Sequence, residues 1–191
     1  YNERNNRVLP VDIVVKKMED TRANREEIDH ALEFTDDVIA RVNPHFVITW
    51  DSRICTNANT NQILLFSELF EGDLNSFNDY LVSLASDSSR VKLTISMIFQ
   101  VFMGLWNLFR RDLSHDDLHG GNVLFKRIEE PSNNYFTYTT PNGQRISIQH
   151  QSHLYAISDY GLMKESGAHV KDGVQQNLDI YSDFYRFCSV M

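Results

Sequence analysis

Two cysteines in 191 residues are too few for a disulfide framework, and Cys55 and Cys188 form no C-x-x-C pair. That poverty points to a reduced, intracellular setting with both thiols buried or idle. Positive charge is also short: 18 Lys and Arg against 26 Asp and Glu leave a net charge of −8 and a pI near 5.3. No direct nucleic-acid binding and no general affinity for an anionic membrane are therefore expected. Long apolar runs are missing. The longest, roughly Met97 to Phe109, carries Gln100 and Asn107 and falls short of the ~20 residues of a membrane span. No signal-peptide pattern, repeat or low-complexity tract is visible, and a chain that begins at Tyr1 is expected to be processed or part of a longer polypeptide.

What is present suffices for a core: 42% of residues are hydrophobic and 12% aromatic, which argues against disorder. One domain, or two small lobes around a cleft, fits this length. Val11 to Met18 reads as a strand and Thr21 to Val42 as a helix ending at Asn43-Pro44. Phe46 to Trp50 and Gln62 to Phe66 read as strands around a polar loop, Asp51 to Asn61. Helices are expected over Leu74 to Ala85, Val91 to Phe109 and Leu178 to Val190. Short strands at Val123 to Phe125 and Leu154 to Ile157 bracket a hairpin whose turn is Pro141-Asn142-Gly143-Gln144.

The chemistry concentrates in Leu113-Ser114-His115-Asp116-Asp117-Leu118-His119-Gly120-Gly121-Asn122. A histidine, an aspartate two residues on and an asparagine five beyond it have the spacing of a phosphotransfer loop, H-x-D-x-x-x-x-N. Asp117 would take the acceptor's proton, and Asn122 would offer an amide oxygen to a hard cation. Downstream, Asp159-Tyr160-Gly161 supplies a second, charged metal ligand, with Gly161 permitting a turn. Lys16 shares a strand face with Val14, so a phosphate-binding cation and a base-lining side chain sit together. A glutamate on the next helix should pin Lys16; Glu33 is best placed, with Glu26 behind it and Glu27 weaker. His115 reads as a packed support. The cluster His115, Asp116, Asp117 and His119 also admits a metal-hydrolase reading, which nothing else in the chain completes.

Taken in order, these segments resemble the protein-kinase-like superfamily across nearly the whole chain, and are most similar to divergent serine/threonine-kinase-like proteins of large DNA viruses. Ile13-Val14-Val15-Lys16 resembles V-A-I-K, Ser67 to Leu74 a hinge, and Asp159-Tyr160-Gly161 the D-F-G. The resemblance implies an α+β, two-lobed fold with an incomplete N-terminal lobe over residues 1–70 and a truncated C-terminal lobe over 71–191. It implies a serine/threonine protein kinase using ATP and Mg2+, in which backbone groups of Glu68 and Phe70 meet adenine and Asp73 approaches the ribose or the acceptor. Asp179, at the start of the last helix, would brace the catalytic loop. A location in host cytoplasm or a virion follows if the protein is viral.

The sequence departs from that pattern in several places, among them the 179 − 159 = 20 positions between Asp159 and Asp179, with no A-P-E motif. Asp116 stands where the arginine of H-R-D belongs, so control by activation-loop phosphorylation is not expected. His119 replaces a lysine. The 159 − 122 = 37 positions between Asn122 and Asp159 imply an inserted hairpin. No G-x-G-x-x-G precedes Lys16, since Tyr1 to Pro10 hold no glycine. Two further readings therefore stay open: a kinase-fold binding component without turnover, and a small-molecule kinase, whose H-x-D-L-H loop is also similar.

Overall fold

The computed structural model describes residues 12–57, 60–84, 86–128, 134–140, 142–165, 169–171, 174–176 and 178–190, and these form a mixed α+β fold. A three-stranded antiparallel sheet comes first, ordered β1-β3-β2, from β1 (Ile13–Glu19), β2 (Thr49–Asn57) and β3 (Thr60–Glu68). Between β1 and β2 runs α1 (Arg22–Ile39). Thr21 starts this helix by accepting the Asn24 N–H at 3.2 Å. Ile28, Ala31, Phe34 and Thr35 recur at helical spacing and are buried. Arg41, at φ 58°, turns the chain out of the helix.

Two strand expectations need correcting here. Asp51 to Asn57, expected as loop, pairs residue by residue with β3. Exposed Arg53 and Cys55 on that strand are polar or small because they face solvent, not because the backbone is irregular. Phe46 to Ile48, expected as strand, contributes one parallel bridge, Phe46 to Ile157.

A second antiparallel sheet is ordered β4-β6-β9, from β4 (Gly72–Asp73), β6 (Val123–Arg127) and β9 (His153–Ile157). Two helices, α2 (Leu74–Ser83) and α3 (Asp87–Phe109), fill the chain between β4 and β6, α3 being followed by the short strand β5 (Leu113–Ser114). Leu93, Met97, Val101, Leu105 and Leu108 form the buried stripe of α3. At Gly104 a Cβ would come within 2.8 Å of Ile157 Cδ1, so the close crossing of α3 over β9 needs a residue without one. By length and composition alone α3 is long and apolar enough to cross a membrane.

The inserted hairpin, β7 (Tyr135–Thr139) and β8 (Arg145–Gln149), turns through Gly143 at φ 81°. It is tied to the core by Tyr138, whose hydroxyl donates to His45 Nε2 at 2.5 Å while His45 Nδ1–H donates to the Tyr155 carbonyl at 2.9 Å. Complete burial holds His45 neutral, with its pKa lowered to about 4. Strand β10 (Lys164–Glu165) pairs with β5, and a short hairpin of β11 (His169–Lys171) and β12 (Val174–Gln176) precedes α4 (Leu178–Val190). The main core joins Phe34, Phe46, Phe77, Leu118, Tyr155 and Phe187. Phe34 and Phe46 stack at 4.4 Å, and Tyr160 leans on Phe34 at 5.0 Å. That stack places Asp159 beside the first sheet.

Candidate functional site

A cleft of about 670 Å³ opens between the first sheet and the β6–β9 pair, a size suited to a nucleotide-scale ligand. Val14, Lys16 and Leu65 line one wall, and Asn122, Leu124 and Asp159 the other. Strand alternation explains the first wall, since Val14 and Lys16 sit opposite Ser67 and Leu65 on one face of the sheet.

Lys16 Nζ lies 2.7 Å from Glu27 Oε1 and 3.0 Å from Asp159 Oδ1. Partial burial alone would lower the lysine pKa; hydrogen bonds to the two carboxylates more than reverse that and leave it raised. The expected partner, Glu33, is elsewhere. Its carboxylate accepts from Arg111 Nη1 at 2.7 Å, beside the Arg111–Asp37 pair. Six residues of helix rotate Glu33 roughly 240° away from Glu27, off the face that meets β1. Glu26, the other candidate, pairs with Arg22 on the surface. Glu27 is buried on the cleft side, as only side-chain direction in the folded protein could reveal.

Asp159 has φ 62° and Asp116 φ 61°. Aspartate tolerates this left-handed region better than most residues, yet two instances at one site store strain of the kind functional loops hold. Gly161, expected to supply the turn, shows no such φ; its role is space, since a Cβ there would lie 3.1 Å from Glu27 Oε2.

Asn122 is positioned by a tight turn, Gly120–Asn122, that follows the loop. Its Nδ2 donates to the Asp117 carbonyl at 3.0 Å, which leaves Oδ1 as its free side-chain donor to a cation. The Ser158 N–H donates to the Asn122 carbonyl at 2.9 Å, extending the β6–β9 ladder and bringing Asn122 level with Asp159. Asp117 stands beside the cleft, half exposed, with His119 Nε2 3.8 Å from its Oδ2. Because the Gly121 N–H donates to His119 Nδ1 at 3.0 Å, the proton of the neutral ring sits on Nε2, toward Asp117.

His115 is a support. Its ring is fully buried, Nε2–H donates to the Ser158 carbonyl at 2.9 Å, and burial lowers its pKa. Among the described residues no three His, Cys, Asp or Glu side chains converge as a metal set. The loop is braced by Asp183 of α4, whose carboxylate accepts the His115 N–H at 2.6 Å and the Asp116 N–H at 2.8 Å. This role was expected of Asp179, one helical turn earlier, whose side chain lies outside the described residues. Burial raises the Asp183 pKa even against those bonds. Asp116 itself pairs with Lys164 at 3.0 Å and approaches Arg186 at 3.8 Å.

The connector after β3 is more occupied than expected. The Glu68 N–H donates to the Ile48 carbonyl at 2.9 Å, and its buried carboxylate accepts the Ile48 N–H and pairs with Lys126. Among the described residues, the Phe70 backbone makes no hydrogen bond, so it is the part of this connector open to a base. The Asp73 side chain caps α2, accepting the Ser76 N–H at 2.9 Å, and that bond holds its pKa below the usual carboxylate range. It lines the cleft with its carboxylate already engaged.

No protein-family model and no curated protein matches this chain.

Proposed function

We propose that this chain is a protein-kinase-like phosphotransferase, of serine/threonine type, that moves the γ-phosphate of ATP to a hydroxyl group. The observation that carries the reading is Lys16, held within 3.0 Å of both Glu27 and Asp159 in the wall of a nucleotide-sized cleft. Buried Glu27 keeps the ammonium in the cleft, where it would meet the α- and β-phosphates. Phe70 would offer backbone groups to adenine, with Val14 against the ring.

Asn122 and Asp159 present oxygen donors that suit Mg2+. Magnesium, when bound with the nucleotide, supplies positive charge against the oxygens of the transferring phosphoryl group. Asp117 then orients the acceptor hydroxyl. Its oxygen bonds the γ-phosphorus as the bond to the β–γ bridging oxygen breaks, the proton passes to Asp117, and ADP leaves. His119, whose Nε2–H points toward Asp117, would turn that donor to the transferred group. The acceptor would be a protein or a small molecule, in an intracellular setting.

A second reading has its own support. Val14 is 43% exposed on edge strand β1, which shelters a base poorly and favours a kinase-fold component that binds without turnover.

Thermal unfolding with ATP, with and without magnesium, tests the proposal. A magnesium-dependent rise of roughly 3–6 °C is expected. No shift at millimolar ATP would sink it.

A further inference from the structure

Where α1 and α3 both end against the inserted hairpin, a second cleft of about 410 Å³ opens on the face formed by Asn43, Met103 and Thr139. Three arginines line it, Arg41, Arg110 and Arg111, and no carboxylate does, in a chain of net charge −8. Arg111 is already bonded to Glu33 and Asp37. Arg41 and Arg110 are exposed and, among the described residues, make neither an ion pair nor a side-chain hydrogen bond. Basic residues near helix C-termini are often explained by the helix dipole. Here neither guanidinium bonds a terminal carbonyl, so capping does not occupy them.

We propose that this cleft binds a phosphate monoester through Arg41 and Arg110. Guanidinium forks match the several oxygens of phosphate better than a single-point donor does. The cleft holds far more than a bare ion, which leaves room for the ester's organic part. Asn107 also lines the cleft; its side-chain oxygen, shut from solvent without a hydrogen bond, is an acceptor and so suits the ester's organic part rather than its phosphate. The hairpin lines the cleft with Thr137 and Thr139, so the insertion builds the site rather than merely lengthening the chain.

Trp106 lines the cleft and reports on it directly. In a Trp50→Phe background, inorganic phosphate should change Trp106 fluorescence saturably below about 10 mM at constant ionic strength. Arg41→Ala with Arg110→Ala should weaken this at least tenfold, and Lys16→Ala should leave it unchanged. Glycerol 2-phosphate and a phosphoserine peptide then separate a small metabolite from a modified side chain; tighter binding of either supports the site and names its source. The proposal is overturned by no saturable change, by equal binding in the double arginine variant, or by loss of binding in Lys16→Ala. It is equally overturned if neither ester binds at least as tightly as free phosphate.

Discussion

Lys164 Nζ lies 3.0 Å from Asp116 Oδ2, joining the loop that carries Asp117 to the strand that follows Asp159. Strand β10 adds backbone pairing to β5 across the same gap. If the proposed kinase-like reading holds, this ion pair would stand where an activation-loop phosphate and an arginine would otherwise meet. Turnover should stay within about twofold after phosphatase treatment, and Lys164→Ala should cost under about fivefold, as suits a half-exposed pair. A several-fold response to phosphatase would refute this.

Glu27 and Glu33 separate cleanly. Glu27→Gln removes the buried anion that holds Lys16, and kcat/KM should fall on the order of tenfold or more. Glu33→Gln touches only the Arg111 cluster, so activity should hold while stability drops by about 0–1 kcal/mol. Steady-state kinetics beside urea melts would show the reverse pattern if the pairing were wrong.

Asp117→Asn should lower turnover by roughly 10²–10⁴-fold with ATP affinity kept. Asp159→Asn should instead weaken nucleotide binding only when magnesium is present. Calorimetric titration with and without the metal distinguishes the two, and an unchanged affinity for Asp159→Asn would remove it as a ligand.

Asp183→Ala leaves the His115 and Asp116 N–H groups without their acceptor in a buried setting. A loss of about 2–5 kcal/mol in chemical denaturation is expected, together with reduced turnover. Stability equal to the parent protein would show that α4 does not brace the loop.

His45 makes stability depend on pH. Its folded pKa, about 4, lies below the ordinary 6.5, so between these values the unfolded chain binds the extra proton. The His45 contribution to stability should fall by about 3 kcal/mol as pH drops from roughly 7 to 4, and that contribution levels off below. His115, also lowered, acts in the same direction. The His45→Gln difference isolates the effect: a variant with the same slope as the parent would contradict it.

Much was legible because it is local. The order of helices, the turn at Gly143 and the alternation of Val14 with Lys16 follow from neighbouring residues. Asp51 to Asn57 was misread because strand pairing overrides polar composition when a partner strand is available.

The spacing of Asp117 and Asn122 was likewise written in the chain, since it spans one short loop; Asp159, 37 positions on, reaches them only through the β6–β9 pairing. Which glutamate reaches Lys16, and which α4 aspartate braces the loop, was not. Glu26, Glu27 and Glu33 on α1, and Asp179 and Asp183 on α4, are near-equivalent in sequence. The choice depends on how each helix is rotated against its neighbour, and that rotation is set by packing of distant residues such as Phe34, Phe46 and Phe187. Sequence determined the candidate groups and their local spacing; tertiary packing decided which charges meet, because burial turns Glu27 inward and leaves Glu26 in water.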